Sequence, residues 1–247
     1  MITRLALNMA IAVLPAVVFV FGATRRTDIS PRGFYRAFLA GLVAVFPALA
    51  VMLLVSSALA GVGGLHGGAL RAFVVAGLVE EVVKLAPVRW SMRRADYANS
   101  HGERGLPARA PRARAAGIAV AGARIPAPEV PRRLPLAVTA GLGFAFLENA
   151  FYLAGSSSLL VMRALLAVPL HGATAAYLGL AVAPAAAPRG SDRGRAFYSV
   201  PAAIGLAAVV HGAYDLAVKR AAPLAPLVVL AAVALAVILA RHARRSS

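Results

Sequence analysis

Residues 73–88 read FVVAGLVEEVVKLAPV, and they set Glu80, Glu81 and Lys84 in the middle of an otherwise apolar run. A run of this kind is a membrane span or the core of a soluble domain, and the rest of the chain decides between them. Of the 247 residues, 60% are hydrophobic, against about 45–50% in an ordinary globular domain. Seven stretches approach the ~20 apolar residues that cross a bilayer core. They lie near 5–23, 38–60, 68–88, 135–155, 159–182, 197–218 and 223–240. Backbone polar groups in lipid must be satisfied within each segment, so the spans are expected to be helices. The alternating ten-residue segments of a barrel do not occur. The expected fold class is therefore all-α, a polytopic membrane helical bundle of about seven transmembrane helices.

The chain is read as a single membrane domain, 1–247. Within it, 89–134 is a basic Pro/Ala/Arg-rich cytoplasmic loop and 241–247 a basic cytoplasmic tail. The loop holds PARAPRARAAG and RIPAPEVPRR, too basic and proline-broken for a second domain. Segment 5–23 has the look of a secretory signal. Its apolar stretch is too long, no small-x-small cleavage site follows, and more spans come after it, so it is expected to be retained.

There are no cysteines, which excludes disulfides, thiolate metal ligands and a cysteine nucleophile. The formal charge of +17 resembles that of a nucleic-acid binder, but the arginines sit in loops, where they report topology and contact with anionic lipid. Nucleic acid is not an expected partner; the bilayer is. Arg25, Arg26, Arg32 and Arg36 follow the first span. Ten arginines lie in 89–134, with Arg189, Arg193 and Arg195 in 183–196 and Arg241, Arg244 and Arg245 in the tail. If the spans alternate, all of these face one side and only Arg4, Lys219 and Arg220 face the other. The expected location is the cytoplasmic membrane, multi-pass, with the N-terminus outside and the C-terminus in the cytoplasm.

Four of the nine carboxylates and two of the five histidines fall inside these spans. A carboxylate at the bilayer centre costs about 2.5–3.5 kcal/mol on insertion scales, so a set of them marks a polar site. Lys84 is three and four residues from Glu81 and Glu80 and can reach either. Two close carboxylates in low dielectric do not both ionise easily, which suits one of them to proton transfer. In the fourth span Phe144, Glu148 and Tyr152 share a face, with Asn149 beside them. Glu148 could ligate a metal, act as a base or neutralise a cation, and an ion pair with Arg163 is the structural alternative. His171 is flanked by Gly172, Ala173, Ala175 and Ala176, which permit close helix approach. His211 and Asp215 share a face at i, i+4, so Asp215 could orient the imidazole or join it on a cation. Counted from the span centres, these groups lie in one slab about 10 Å thick, as bundle-core sites do.

Two histidines with carboxylates and no thiol match an oxygen/nitrogen metal site, zinc foremost among the candidates. The residues suited to hold it are Glu148, His171, His211 and Asp215. Such a site activates water, with a glutamate as general base. A metal-free arrangement, with a glutamate activating water and a histidine stabilising the oxyanion, is equally open at this level.

Together, Glu80-Glu81-xx-Lys84, Phe144-xxx-Glu148-Asn149-xx-Tyr152, the Arg163…His171…Gly179 spacing and His211-xxx-Asp215 resemble the PrsW family of intramembrane proteases, over about residues 35–220. That family is related to the CAAX-type (Abi) prenyl proteases and to the Aph-1 subunit of gamma-secretase. The resemblance implies an intramembrane endopeptidase, metallo- or glutamate-type, acting on membrane-anchored protein substrates. In the best-known member the substrate is a single-span anti-sigma factor, cut on its extracytoplasmic side. It also implies catalytic roles for Glu80, Glu81, His171 and His211, with Lys84, Glu148, Asn149, Tyr152, Arg163 and Asp215 in support. The prenyl-protease relatives carry FxxxH where this chain has Phe144-xxx-Glu148, so their site geometry is not carried over. Two other functions use the same residue types. A proton-coupled secondary transporter would use the carboxylates and histidines as a relay, although the broken, repeated helices of such carriers are not seen. A non-catalytic membrane scaffold would need the fold alone.

Overall fold

A computed structural model describes residues 2–94, 130–153, 160–182 and 199–245. Helices account for nearly all of them, and no sheet occurs among the described residues. In chain order they are α1 (Ile2–Arg26), α2 (Pro31–Ala58), α3 (Gly64–Leu70), a π-helical turn (Arg71–Leu78), α4 (Val79–Arg93), α5 (Val130–Leu153), α6 (Leu160–Val182), α7 (Val200–Arg220), a 3-10 turn (Ala222–Leu224) and α8 (Ala225–Arg245).

Five stretches among the described residues are long and apolar enough to cross a membrane: Pro31–Ala58, Arg132–Tyr152, Leu165–Val182, Val200–Arg220 and Ala222–Arg245. The other two expected spans are helical as well, as α1 and as the run Gly64–Arg93, but they are not among the five. The run Gly64–Arg93 carries Arg71, Glu80, Glu81, Lys84, Arg89 and Arg93, so composition alone does not mark it as a span.

Several boundaries differ from the sequence expectation for local reasons. α2 begins at Pro31 rather than near 38, because the Ser30 Oγ accepts a hydrogen bond from the Gly33 N–H at 3.2 Å and Pro31 is pre-set for the first turn. Ser199 starts α7 in the same way, accepting from Ala202 N–H at 3.3 Å ahead of Pro201. The loop drawn at 89–134 is shorter at both ends, since α4 continues to Arg93 and α5 begins at Val130. Arg133 helps fix that end of α5 by donating to the Met92 carbonyl at 2.8 Å. The tail drawn from 241 is helical to Arg245. The interior of the 89–134 loop, residues 154–159, the 183–196 loop and the last two residues lie outside the described residues.

α5 and α6 form the centre. α5 packs on α6, α2 and α4, while α6 also meets α7, α8 and α1. From Ala167 to Ala181 of α6 almost every side chain is buried, whereas α2 and α8 show Leu53, Leu54, Leu230 and Ile238 to the outside. Large apolar side chains facing outward in number would be a liability in water; on a bundle immersed in lipid they face their own solvent. α1 joins through Ala16, packed with Leu142, Ala145 and Val168.

Two close helix contacts fix where α6 and α7 sit. Gly77 in the π turn and Gly212 in α7 meet where a methyl group at either would strike the other element: one at Gly77 would lie 2.6 Å from the Ala208 carbonyl, and one at Gly212 would run into the Phe73 ring. Only a missing Cβ permits this approach. Gly141 of α5 lies directly against the backbone carbonyl of His171, which draws α6 onto α5 at the level of that histidine.

Candidate metal and proton-transfer centre

The π-helical turn Arg71–Leu78 runs straight into Glu80 and Glu81. A π turn inserts an extra residue per turn and rotates everything after it, and such turns concentrate at functional sites. Here it turns both glutamates inward. Glu80, Glu81, Lys84, His171 and His211 are each no more than 2% exposed, and Glu148, Asn149, Arg163 and Asp215 are buried too. Groups of this polarity stay buried only when paired or bound.

The pairing is continuous across four helices. Lys84 Nζ donates to Glu81 Oε1 at 2.6 Å and lies 2.8 Å from His171 Nδ1. The same Glu81 oxygen lies 2.9 Å from His211 Nδ1. An ionised carboxylate only accepts, so beside ionised Glu81 the His211 ring carries a proton on Nδ1, and its Nε2 on the far side of the ring lies 3.8 Å from Glu80 Oε2. The two imidazoles meet edge to face with ring centroids 4.9 Å apart. Phe144 packs on His171 at 5.7 Å and under the Lys84 ammonium at 5.0 Å.

Glu148 bridges to the other side. Its Oε1 accepts from Arg163 Nη2 at 2.6 Å, and its Oε2 lies 2.8 Å from His171 Nε2. The second contact is close, yet it lacks the alignment of a hydrogen bond, and Glu148 Oε2 is without a hydrogen-bond partner. Arg163 stacks over Tyr152 at 3.7 Å and reaches Asn149 Oδ1 at 3.4 Å. The expected Glu148–Arg163 ion pair is present, and it leaves the second carboxylate oxygen beside His171. One carboxylate oxygen serves the arginine and the other faces the histidine.

One ligand atom each from Glu80, His171 and His211 lies within 4.8 Å of the other two, all buried. Two donors on one zinc, each about 2.0–2.2 Å from the ion, stand at most ~4.3 Å apart. Glu80 Oε2 and His211 Nε2, at 3.8 Å, already meet that limit, and the group as a whole lies within 4.8 Å. Glu80 Oε2 is also buried without a hydrogen-bond partner. The donor set and this orphaned oxygen fit a divalent metal. An ammonium only donates, so with Lys84 charged His171 Nδ1 accepts and the ring proton sits on Nε2; the Nε2 lone pair becomes available to a metal when Lys84 is the neutral amine and accepts from Nδ1–H.

Of the expected metal set of Glu148, His171, His211 and Asp215, the two histidines are grouped with Glu80, and neither Glu148 nor Asp215 is in that group. Asp215 is buried on α7, but both ring nitrogens of His211 are directed at Glu81 and Glu80, and the carboxylate grouped with the two histidines is that of Glu80. The i, i+4 spacing allowed Asp215 to orient His211; the π turn brings Glu81 into that place instead. Sequence reasoning also missed Phe144 as the floor under His171 and Lys84, and the wall that α2 contributes. Gly41 and Gly143, each set against the backbone of the facing helix, were the sequence signal of that contact between α2 and α5.

Beside the cluster lies a cavity of about 190 Å³ between α2 and α5, with Glu80, Glu148, Phe144 and Tyr152 among its lining. Phe144, Glu148 and Tyr152, predicted to share a face, all border it.

A family model described as PrsW family intramembrane metalloprotease matches residues 30–240 of the chain. No curated protein and no solved structure matches it.

Proposed function

The chain belongs to the PrsW family of intramembrane metalloproteases, and we propose that it hydrolyses peptide bonds of membrane-anchored proteins at the buried cluster of Glu80, His171 and His211. The observation that carries this is the convergence of those three groups, from two distant helices and the segment after the π turn, on one point beside a cavity. We assign the metal to Glu80, His171 and His211, zinc being the ion that this donor set suits. When bound, such an ion polarises the peptide carbonyl and acidifies water.

The chain's own groups do the rest. Glu81 accepts from His211 Nδ1 and holds the ring so that Nε2 faces the centre, the supporting role on which metal-ligating histidines depend. Lys84 fixes Glu81 and the His171 ring together. Glu148 borders the cavity with Oε2 unpartnered while Arg163 anchors Oε1. It is placed to take the proton of the attacking water and pass it to the leaving amine. Tyr152 and Asn149 hold the Arg163 guanidinium in place.

We further propose seven spans, made by α1, α2, the run Gly64–Arg93, α5, α6, α7 and α8, in a single domain of the cytoplasmic membrane. The N-terminus is outside and the C-terminus cytoplasmic. The arginine-rich segments between the spans support that orientation. The cavity borders Met52 and Tyr152, near the ends of α2 and α5 that lie away from those segments, which supports cutting on the extracytoplasmic side. The substrate class is a membrane-anchored protein of the anti-sigma-factor kind.

The test is reconstitution with a panel of single-span membrane reporters, with metal content measured on the same sample. About one zinc per chain, cleavage abolished by chelator and restored by zinc, is the expected result. Cleavage that persists in metal-free protein removes the metal assignment. Absence of cleavage, alongside ion or proton flux that Glu148→Gln abolishes, replaces the protease with a transporter.

A further inference from the structure

Within that protease assignment, on which this inference rests, the cavity between α2 and α5 has a more specific use. Its walls are Val45, Ala48, Leu49 and Met52 of α2 and Phe144 of α5, and its floor is Glu80 and Glu148. At about 190 Å³ it is smaller than the roughly 300–1,000 Å³ of a small-molecule pocket, so it takes a side chain rather than a free ligand. Phe46 of α2 and Phe151 of α5 stand edge to face, with ring centroids 6.4 Å apart and planes at 83°. Phe151 borders the cavity, and both rings are about half exposed on the surface that faces lipid.

We propose that this cavity is the subsite for an aliphatic side chain next to the cut bond, and that the Phe46–Phe151 pair is the lateral mouth through which an extended segment of the substrate reaches it from the bilayer. A lipid acyl chain fits the walls but not the floor. Glu148 Oε2 is buried without a hydrogen-bond partner, and a hydrocarbon tail offers it nothing, whereas a peptide brings backbone N–H groups and the water to be activated. Apart from Tyr152 the walls are apolar, which suits an uncharged side chain. Ala48, itself buried, leaves room that a larger residue there would fill, and Met52 bounds the cavity on the same helix. These two residues set the size that is accepted.

The experiment uses the full chain in liposomes with single-span reporters. Each position from two before to two after the cut bond carries Ala, Leu or Trp in turn. At one of these positions the parent enzyme is expected to prefer Leu and Ala over Trp by ten-fold or more in kcat/KM. Ala48→Leu should move that preference from Leu toward Ala by about ten-fold, and Met52→Ala should admit Trp. The chain has no cysteine, so Phe46→Cys/Phe151→Cys bridged by a short bismaleimide tests the mouth. Bridging should lower cleavage at least ten-fold, while the reagent leaves the parent unaffected. If Ala48→Leu, Met52→Ala and the bridge all leave rate and preference unchanged while Glu148→Gln stops cleavage, the subsite is overturned and the protease stands. If the parent cuts no reporter, both are overturned.

Discussion

Lys84 Nζ is 2.6 Å from Glu81 Oε1 and 2.8 Å from His171 Nδ1, so a single buried ammonium joins the acidic motif to a helix 87 residues further along the chain. Glu81 uses the same oxygen for His211. α4, α6 and α7 are thereby fastened at one atom cluster, and the loss of any member leaves the others buried without compensation.

Lys84→Met is expected to destabilise the protein by about 3–5 kcal/mol, the cost of leaving a buried carboxylate unpaired, and to abolish cleavage. Thermal unfolding in detergent and a reporter assay measure both. The double variant Lys84→Met/Glu81→Met should recover much of the stability, because the pair is replaced by apolar groups of similar size, without recovering activity. Equal instability in the single and double variants would contradict a charge-pair origin.

Glu80→Gln and Glu148→Gln are expected to separate metal binding from proton transfer. Glu80→Gln should lose metal on dialysis. Glu148→Gln should keep about one equivalent while cleavage falls by roughly 10²–10⁴, the usual worth of a positioned acid or base. Elemental analysis beside single-turnover cleavage reads the two effects. The reverse pattern would exchange the roles assigned to the two carboxylates.

Glu81→Gln keeps the size of the side chain but weakens its hold on His211 Nδ1 and Lys84. Metal affinity is expected to fall 10–100-fold, the common consequence of removing a group that orients a ligating histidine. The variant should still accumulate in the membrane. Metal titration with a competing chelator checks this, and unchanged affinity would remove Glu81 from that positioning role.

Gly212→Val places a branched side chain against Phe73. Overpacking a close contact costs about 1–3 kcal/mol, and here it also pushes α7 away from the π turn. Metal affinity should therefore drop by more than stability alone explains. Gly205→Val on the same helix meets open space and should leave both unchanged. Thermal unfolding and metal titration on the two variants make the comparison.

Arg163→Met strips Glu148 of its partner and is expected to cost about 3–5 kcal/mol. In Glu148→Gln/Arg163→Met that loss should shrink, giving a coupling energy in a double-mutant cycle. Additive losses would show that the 2.6 Å pair contributes little beyond packing.

Much of the helix inventory was legible from composition, because a helix in lipid is dictated locally: about twenty apolar residues must satisfy their own backbone. The charged run Gly64–Arg93 was legible for the opposite reason, as charge where charge is expensive. The sequence also marked which groups come together in the buried cluster, since Glu80, Glu81, Lys84, Glu148, Arg163, His171 and His211 have no inexpensive place in a bilayer except one another's company. Their pairings were another matter. Spacing offered Asp215 to His211, yet Glu81 holds it; spacing offered Lys84 either glutamate, and it took Glu81 together with His171. Those choices depend on how far each helix is rotated and how closely two helices approach. These are fixed by the π turn before Glu80 and by the contact between Gly77 and Gly212, and they arise only when distant segments pack together.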